Sequence, residues 1–403
     1  MTRLLWVTEE APDRNLGGGN IRQAHLLDAL GQAFDTTVLM AGPLGDSRTR
    51  AAVSRVIEVP RPDPSRPKRR SARRLVDLRL ALFGRQPRDV WEMRRVRATL
   101  RRALRAADAA GSYDLVVVTH QGLMGMLPPR RTSRWVAHFH HVAADRARQT
   151  AATAAGGRQR WLYQRDAHHA ARFERWAVAA YDAVVACSEY DALALTGPER
   201  ASAAGPVFVA PNGVDSARFT PTPLPGEPRV VLTATLDYLP NVDGVQWFVS
   251  DVLPRVRQQV PGVVFDIVGR HPTPDVIALG SPGAIEVHAD VADVAPFLAR
   301  ARVAVVPLRM GTGTRLKALE ALAAGRPLVG TSIGLDGLGL VDGIHARIAN
   351  RPDAMADAVI GLLHDDGPAE AMAAAGRSLV EQHHRWDVIG PRLAADLAAW
   401  IKG

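Results

Sequence analysis

Residues 303–334 read VAVVPLRMGTGTRLKALEALAAGRPLVGTSIG. The β-branched run Val303–Pro307 predicts a strand, and Gly311-Thr312-Gly313-Thr314 predicts a loop. Arg315–Ala324 then reads as a helix. Gly325 can supply its C-terminal cap, and Pro327 cannot continue it. Leu328–Thr331 is the next strand. Continuous apolar strands joined through a helix belong to parallel sheets covered on both faces.

The alternation extends outward in both directions. After the turn residues near 211, strands are expected at Val230–Thr235, Val263–Val268 and Ile285–His288, with a helix at Val245–Gln258. Before them, strands are expected at Leu4–Val7, Thr36–Met40, Val56–Val59, Leu115–Thr119, Trp135–Phe139, Ala183–Ala186 and Val207–Ala210. Helices at Ile21–Ala33 and Val90–Ala107 interleave with these strands. The pattern runs twice, so the fold class is α/β with two doubly wound domains. Ala210-Pro211-Asn212-Gly213 and the proline-rich stretch Thr220–Pro228 mark the boundary. This divides the chain into 1–210, 211–385 and a final helical segment, 386–403. Such sheets bind ligands at the carboxyl ends of their strands, and a cleft between two domains is the expected site.

The helix predicted at Arg315–Ala324 carries its charges at the wrong end. A helix N-terminus has orphan N–H groups and partial positive charge, which favour Asp or Glu. Here Arg315 and Lys317 occupy the first turn, with no acid before Glu320. A bound anion reverses that cost of several tenths of a kcal/mol per cation, because charge-assisted bonds are worth roughly 1.5–3 kcal/mol each. The neighbouring glycines allow close backbone approach. The pattern points to a phosphate or diphosphate site; the alternative is two cations extended into water. Glu320 suits a vicinal hydroxyl pair such as that of a ribose, or else an i,i+3 pairing with Lys317.

The stretch resembles the donor-site segment of retaining glycosyltransferases of family 4, which have two Rossmann-like domains facing across a cleft, the GT-B architecture. Several further stretches carry the same resemblance: Gly17-Gly18-Gly19, Asp114–His120, Val185-Ala186-Cys187-Ser188-Glu189, Pro211–Asp215 with Phe219, Leu236–Asp243 and Trp386. The resemblance covers nearly the whole chain and implies a nucleotide-diphosphate sugar as co-substrate; no other cofactor is expected, and the absence of a D-x-D triplet argues against a metal. The resemblance places His120 in the active site and Glu320 on the donor ribose, while the charge argument above puts Arg315 and Lys317 on the diphosphate. Gly18, Gly19, Gly311, Thr312, Gly313, Thr314 and Leu316 would line the donor, and backbone near Val291 would face the nucleobase. It implies an acceptor that is a sugar, a lipid-linked group or a small molecule, and a last helix packed back on the first domain. This chain departs from the family at two points. Thr312 stands where the family has a Glu that helps hold the donor sugar. Residues 230–254 also lack the family's Arg and Lys, a charge that Arg315 and Lys317 can replace.

The other signals are weaker or exclude chemistry. Net charge is +9. Residues 66–105 alone carry +12, leaving −3 for the rest. Within them Leu75, Val76, Leu78, Leu82 and Phe83 fall near one helical face. This segment reads as a solvated arginine-rich face, or as a peripheral contact with an anionic membrane or acidic partner. No zinc-finger or RNP pattern supports nucleic acid binding. A single cysteine, Cys187, rules out an internal disulfide and fits a reducing cytosol, with the inner membrane face as a further location. There is no D-x-D triplet and no P-loop. Gly330-Thr331-Ser332-Ile333-Gly334 matches the hydrolase elbow G-x-S-x-G but is followed by a poor helix former. His138 and His140 share one face, for acceptor contacts or packing. His168-His169 and His383-His384 read as surface pairs. The alternatives to a transferase are a nucleotide-sugar epimerase or hydrolase of the same fold, and a non-catalytic membrane-recruited protein.

Overall fold

The structure is a computed structural model. It describes residues 1–14, 18–61, 94–110, 113–128, 131–154, 156–197, 205–311 and 315–403. Gly17, Thr312, Gly313, Thr314 and residues 66–93 of the arginine-rich segment lie outside the described residues. Two compact units divide the chain: Met1–Pro211 with Ile389–Gly403, and Asn212–Val388.

The first unit holds seven strands: β1 (Arg3–Thr8), β2 (Asp35–Ala41), β3 (Arg55–Val59), β4 (Leu115–Thr119), β5 (Arg134–His138), β6 (Ala183–Ala186) and β7 (Val207–Val209). All pair in parallel, in the order β3-β2-β1-β4-β5-β6-β7. The order runs outward both ways from β1 and β4, so their carboxyl ends form the topological switch point. Leu4, Leu5, Val7, Val116 and Val118 are buried, as strands covered on both faces require. Helix Gly18–Ala33 follows β1 and buries Arg22, Gln23, Leu26, Leu27 and Leu30. Helix Arg94–Ala110 contains the described end of the arginine-rich segment. Its Leu100 and Leu104 turn into the core, while Arg101 donates to the Gly125 carbonyl at 2.7 Å.

The second unit holds β8 (Arg229–Thr235), β9 (Val264–Arg270), β10 (Ile285–Ala289), β11 (Val303–Val306), β12 (Leu328–Gly330) and β13 (Arg347–Ile348). They too are parallel, in the order β10-β9-β8-β11-β12-β13, with the switch between β8 and β11. Glycine is required at 269, because a Cβ there would lie 1.7 Å from the Ala234 carbonyl oxygen on β8. The helix expected at Val245–Gln258 begins earlier, at Leu239, and continues through a π-helical stretch, Phe248–Val252, to Gln259. The turn falls just ahead of Pro254, which lacks an N–H to donate.

The last helix runs Trp386–Lys402, with Pro391 inside it. From Ile389 onward it belongs to the first unit. Arg134 lies 4.8 Å above the Trp400 ring and donates to the Trp400 carbonyl. His384 is no surface residue. It is 6% exposed, with its two ring nitrogens 3.1 Å from the Leu338 carbonyl and 3.4 Å from that of Asn212. Turns, not a helix, follow Ser332, and its hydroxyl donates to Asn350 at 2.9 Å, so the elbow geometry is absent there.

Candidate functional site

In the second unit the residues of interest gather where β8 and β11 part. Beyond β11 the chain reaches Gly311 at φ +120°, a conformation that favours glycine. Arg315 then caps helix Leu316–Ala323 in an extended conformation without a side-chain capping bond. The amides of Ala318 and Leu319 already donate to the Arg315 carbonyl, so those of Leu316 and Lys317 are the intrahelical orphans at the tip. No acid occupies the first turn.

Lys317 Nζ donates to Asn241 Oδ1 at 2.6 Å, and Asn241 Nδ2 donates to the Thr235 carbonyl at 2.7 Å. Asn241 therefore ties the lysine to the carboxyl end of β8, within the stretch 230–254 that holds no Arg or Lys. Burial, with Arg315 beside it, pulls the Lys317 ammonium down to about 7, against the opposing pull of Glu320. Burial raises Glu320 above the ordinary carboxyl value, while Arg218 and Lys317 act the other way. Arg218 itself pairs with Asp293 at 2.8 Å. Leu316 is partly buried on the same turn as Lys317. Val291 is partly buried against the core, just after Asp290, a non-glycine residue at φ +51°. The Asp290 carboxylate accepts from the His271 amide at 2.8 Å.

In the first unit His120 sits at the tip of β4 with φ +68°, a conformation a side chain rarely adopts. Its ring stacks on His140 at 4.2 Å, and His140 lies 4.7 Å from His138. Gly19 approaches this stack; a Cβ there would stand 3.3 Å from His140 Nδ1. Gly18 is exposed at the start of the same helix. Glu10 Oε2 is 3.8 Å from His120 Nε2. Burial lowers the pKa of His120, His138 and His140 and favours neutral rings.

The structure thus places His120, Gly18 and Gly19 at one switch point and Gly311, Arg315, Leu316, Lys317 and Glu320 at the other, with Val291 on the second unit. Gln23 and Trp6 carried no spacing signal that would have singled them out; Asn241 lies in the Leu236–Asp243 stretch but had no role assigned to it. Among the described residues, two trios have metal-compatible spacing: Glu9, Glu10 and His120, and Asp266, Glu286 and His288. The second already binds two cations, Arg229 at 3.1 Å and Arg300 at 2.8 Å from Asp266. In the first, His120 Nε2 contacts the Gln23 amide nitrogen at 3.2 Å.

The model of glycosyltransferase family 4 matches residues 16–218, and that of glycosyl transferases group 1 matches residues 227–365. The chain belongs to glycosyltransferase family 4. Its relatives include a glycogen synthase of Mycobacterium tuberculosis, 28% identical over 269 residues and covering 62% of each chain. A GDP-mannose-dependent phosphatidylinositol monomannoside mannosyltransferase of the same organism is 33% identical over 242 residues, covering 50% of this chain and 58% of that one. The chain therefore spans about three fifths of the length of these relatives. Among solved structures, the sucrose-phosphate synthase of Thermosynechococcus elongatus aligns over 100% of both chains with a TM-score of 0.76 at 17% identity. Anabaena HepE, solved with UDP-glucose, aligns over 99% of this chain with a TM-score of 0.66 at 13% identity. These likenesses establish the fold: this family 4 chain has the two Rossmann-like units of the GT-B class.

Proposed function

We propose that this family 4 chain transfers a sugar from a nucleotide-diphosphate sugar to an acceptor hydroxyl, with retention and without a metal. One observation carries the reading: two cations, Arg315 and Lys317, stand at a helix tip where physics favours acids, beside a switch point. The family and the GDP-mannose dependence of the mannosyltransferase relative support a nucleotide-sugar donor. In this reading the Leu316 and Lys317 amides and the Lys317 ammonium hold the leaving diphosphate, with Arg315 adding charge. They stabilise negative charge as the glycosidic bond breaks, the electrostatic task a metal otherwise performs. Glu320 holds the ribose hydroxyls. Gly311, with Thr312, Gly313 and Thr314, lets backbone approach the donor. Val291 backbone serves the base. His120, with Gly18 and Gly19, serves the sugar-transfer side. The acceptor hydroxyl attacks from the face the diphosphate leaves, and a leaving phosphate oxygen takes its proton.

The test is a panel of nucleotide sugars and hydroxyl acceptors, with mass-spectrometric detection of nucleotide diphosphate and glycosylated product. Expected are acceptor-dependent release, a product keeping the donor's anomeric configuration, and rates unchanged by EDTA. Release without acceptor would favour a hydrolase or epimerase, and loss of activity in EDTA would contradict the metal-free mechanism.

A further inference from the structure

Gln23 is fully buried in helix Gly18–Ala33, and its side chain bridges two elements of the sheet. The indole Nε1–H of Trp6, on β1, donates to Gln23 Oε1 at 3.2 Å. An indole N–H can only donate, so the amide oxygen must face Trp6 and the amide nitrogen must face away. That nitrogen lies 3.2 Å from His120 Nε2. An amide nitrogen is also only a donor, so His120 Nε2 must be the acceptor. A neutral imidazole with an acceptor at Nε2 carries its proton on Nδ1. Protonating His120 would set an Nε2–H against the Gln23 N–H, two donors facing each other.

We propose that Trp6 and Gln23 act as positioning residues that hold His120 as the neutral Nδ1–H tautomer, so that β4 presents a fixed hydrogen-bond donor to an oxygen of the sugar substrate. The proposal rests on the placement of His120 in the transfer site given above. A donor of fixed direction recognises a hydroxyl or phosphate oxygen without adding charge, and it cannot act as a base through Nδ1. Arg22, the preceding residue, does the same for the next strand. Its Nε–H donates to His138 Nε2 at 3.1 Å, which places the His138 proton on Nδ1 as well. The groups facing His120 are Glu9 and Glu10 from the segment after β1, His138 of β5, and His140 and His141 beyond it. The two carboxylates favour a proton on His120, whereas the histidines and the Gln23 donor oppose it.

The experiment is a two-bond proton–nitrogen correlation spectrum of the full chain, labelled with nitrogen isotope at histidine and recorded without substrate at about pH 8, where an unperturbed imidazole is neutral. The His120 signals are assigned by their loss in His120→Gln. Expected is a bare, pyridine-like Nε2 and a protonated Nδ1. In Gln23→Glu the carboxylate accepts from His120, so the proton moves to Nε2 and the His120 titration midpoint rises. The Thr119 hydroxyl also donates to Gln23 Oε1, at 3.4 Å, so the double variant Trp6→Phe/Thr119→Val is the one that frees the amide to turn over, and in it both tautomers appear. A wild-type spectrum with a protonated Nε2, or a Trp6→Phe/Thr119→Val spectrum with the wild-type pattern, overturns the proposal. These readouts need no catalysis. If the spectra are as expected and His120→Gln still transfers sugar at the wild-type rate, the relay stands and the placement of His120 in the transfer site falls.

Discussion

Lys317 is the residue on which the proposed donor site turns. It donates to Asn241, and burial beside Arg315 lowers its proton affinity. Removing it in Lys317→Ala deletes a charge-assisted contact of roughly 1.5–3 kcal/mol, so nucleotide diphosphate binding should weaken about 10- to 100-fold by titration calorimetry. Glu320→Ala should weaken nucleotide binding by a similar factor while leaving inorganic pyrophosphate binding nearly unchanged; equal losses for both ligands would remove Glu320 from the ribose. Lys317 also sets a pH dependence. Its native pKa of about 7 lies below the ordinary 10.5, so between these values the unfolded chain binds more protons than the free native protein. The cost of burying the charge is therefore felt below about 7 and is relieved as pH rises, so stability climbs across that window. A bound diphosphate restores the proton, so binding should take up protons at about pH 8–9 and weaken as pH rises. Calorimetry in buffers of different ionisation enthalpy checks this, and buffer-independent heats would refute it. The wrong-end charges of Arg315 and Lys317 were legible in the chain. The contacts of Asn241 with Lys317 and of Gln23 with His120 were not, because these partners lie 76 and 97 residues away and meet only once the strands are ordered.

At the scale of the element, the strand–helix alternation was readable because parallel strands buried on both faces are continuous apolar runs. The run Leu115–Thr119 is β4 residue for residue. What escaped was what sequence encodes poorly: the two-residue β13, the π-helical stretch before Pro254, and His384, whose burial comes from segments near 212 and 338 closing over it. Two glycines show how tightly the elements fix the site. Gly269→Ala puts a Cβ into the Ala234 carbonyl, and since β8 and β9 pair at these residues the strands must separate. Urea unfolding should show a loss of roughly 1–3 kcal/mol or more. Gly311→Ala strains a φ of +120° and crowds the Arg315 guanidinium, 2.9 Å from the added Cβ. It should cost roughly 1–3 kcal/mol of stability and weaken diphosphate binding together. Wild-type binding and stability in Gly311→Ala would detach this glycine from the donor loop.

At the scale of the whole molecule, the family and the two doubly wound units follow from sequence and structure alike, while charge distribution is uneven. The excess of basic residues is confined to residues 66–105, and among the described residues no helix is long and apolar enough to cross a membrane. The two units differ in what they hold: Arg315, Leu316 and Lys317, the residues proposed to grip the diphosphate, all lie in Asn212–Val388. A nucleotide diphosphate at about 100 times its Kd should stabilise the folded site by about 2.7 kcal/mol. Hydrogen exchange should register that protection in the second unit and not in the first. The most direct test is a crystal structure of the chain soaked with UDP or GDP. Under the proposed grip, diphosphate oxygens are expected about 3 Å from the Leu316 and Lys317 amides and the Lys317 ammonium. Clear nucleotide density elsewhere, with the tip of helix Leu316–Ala323 bare, would contradict it.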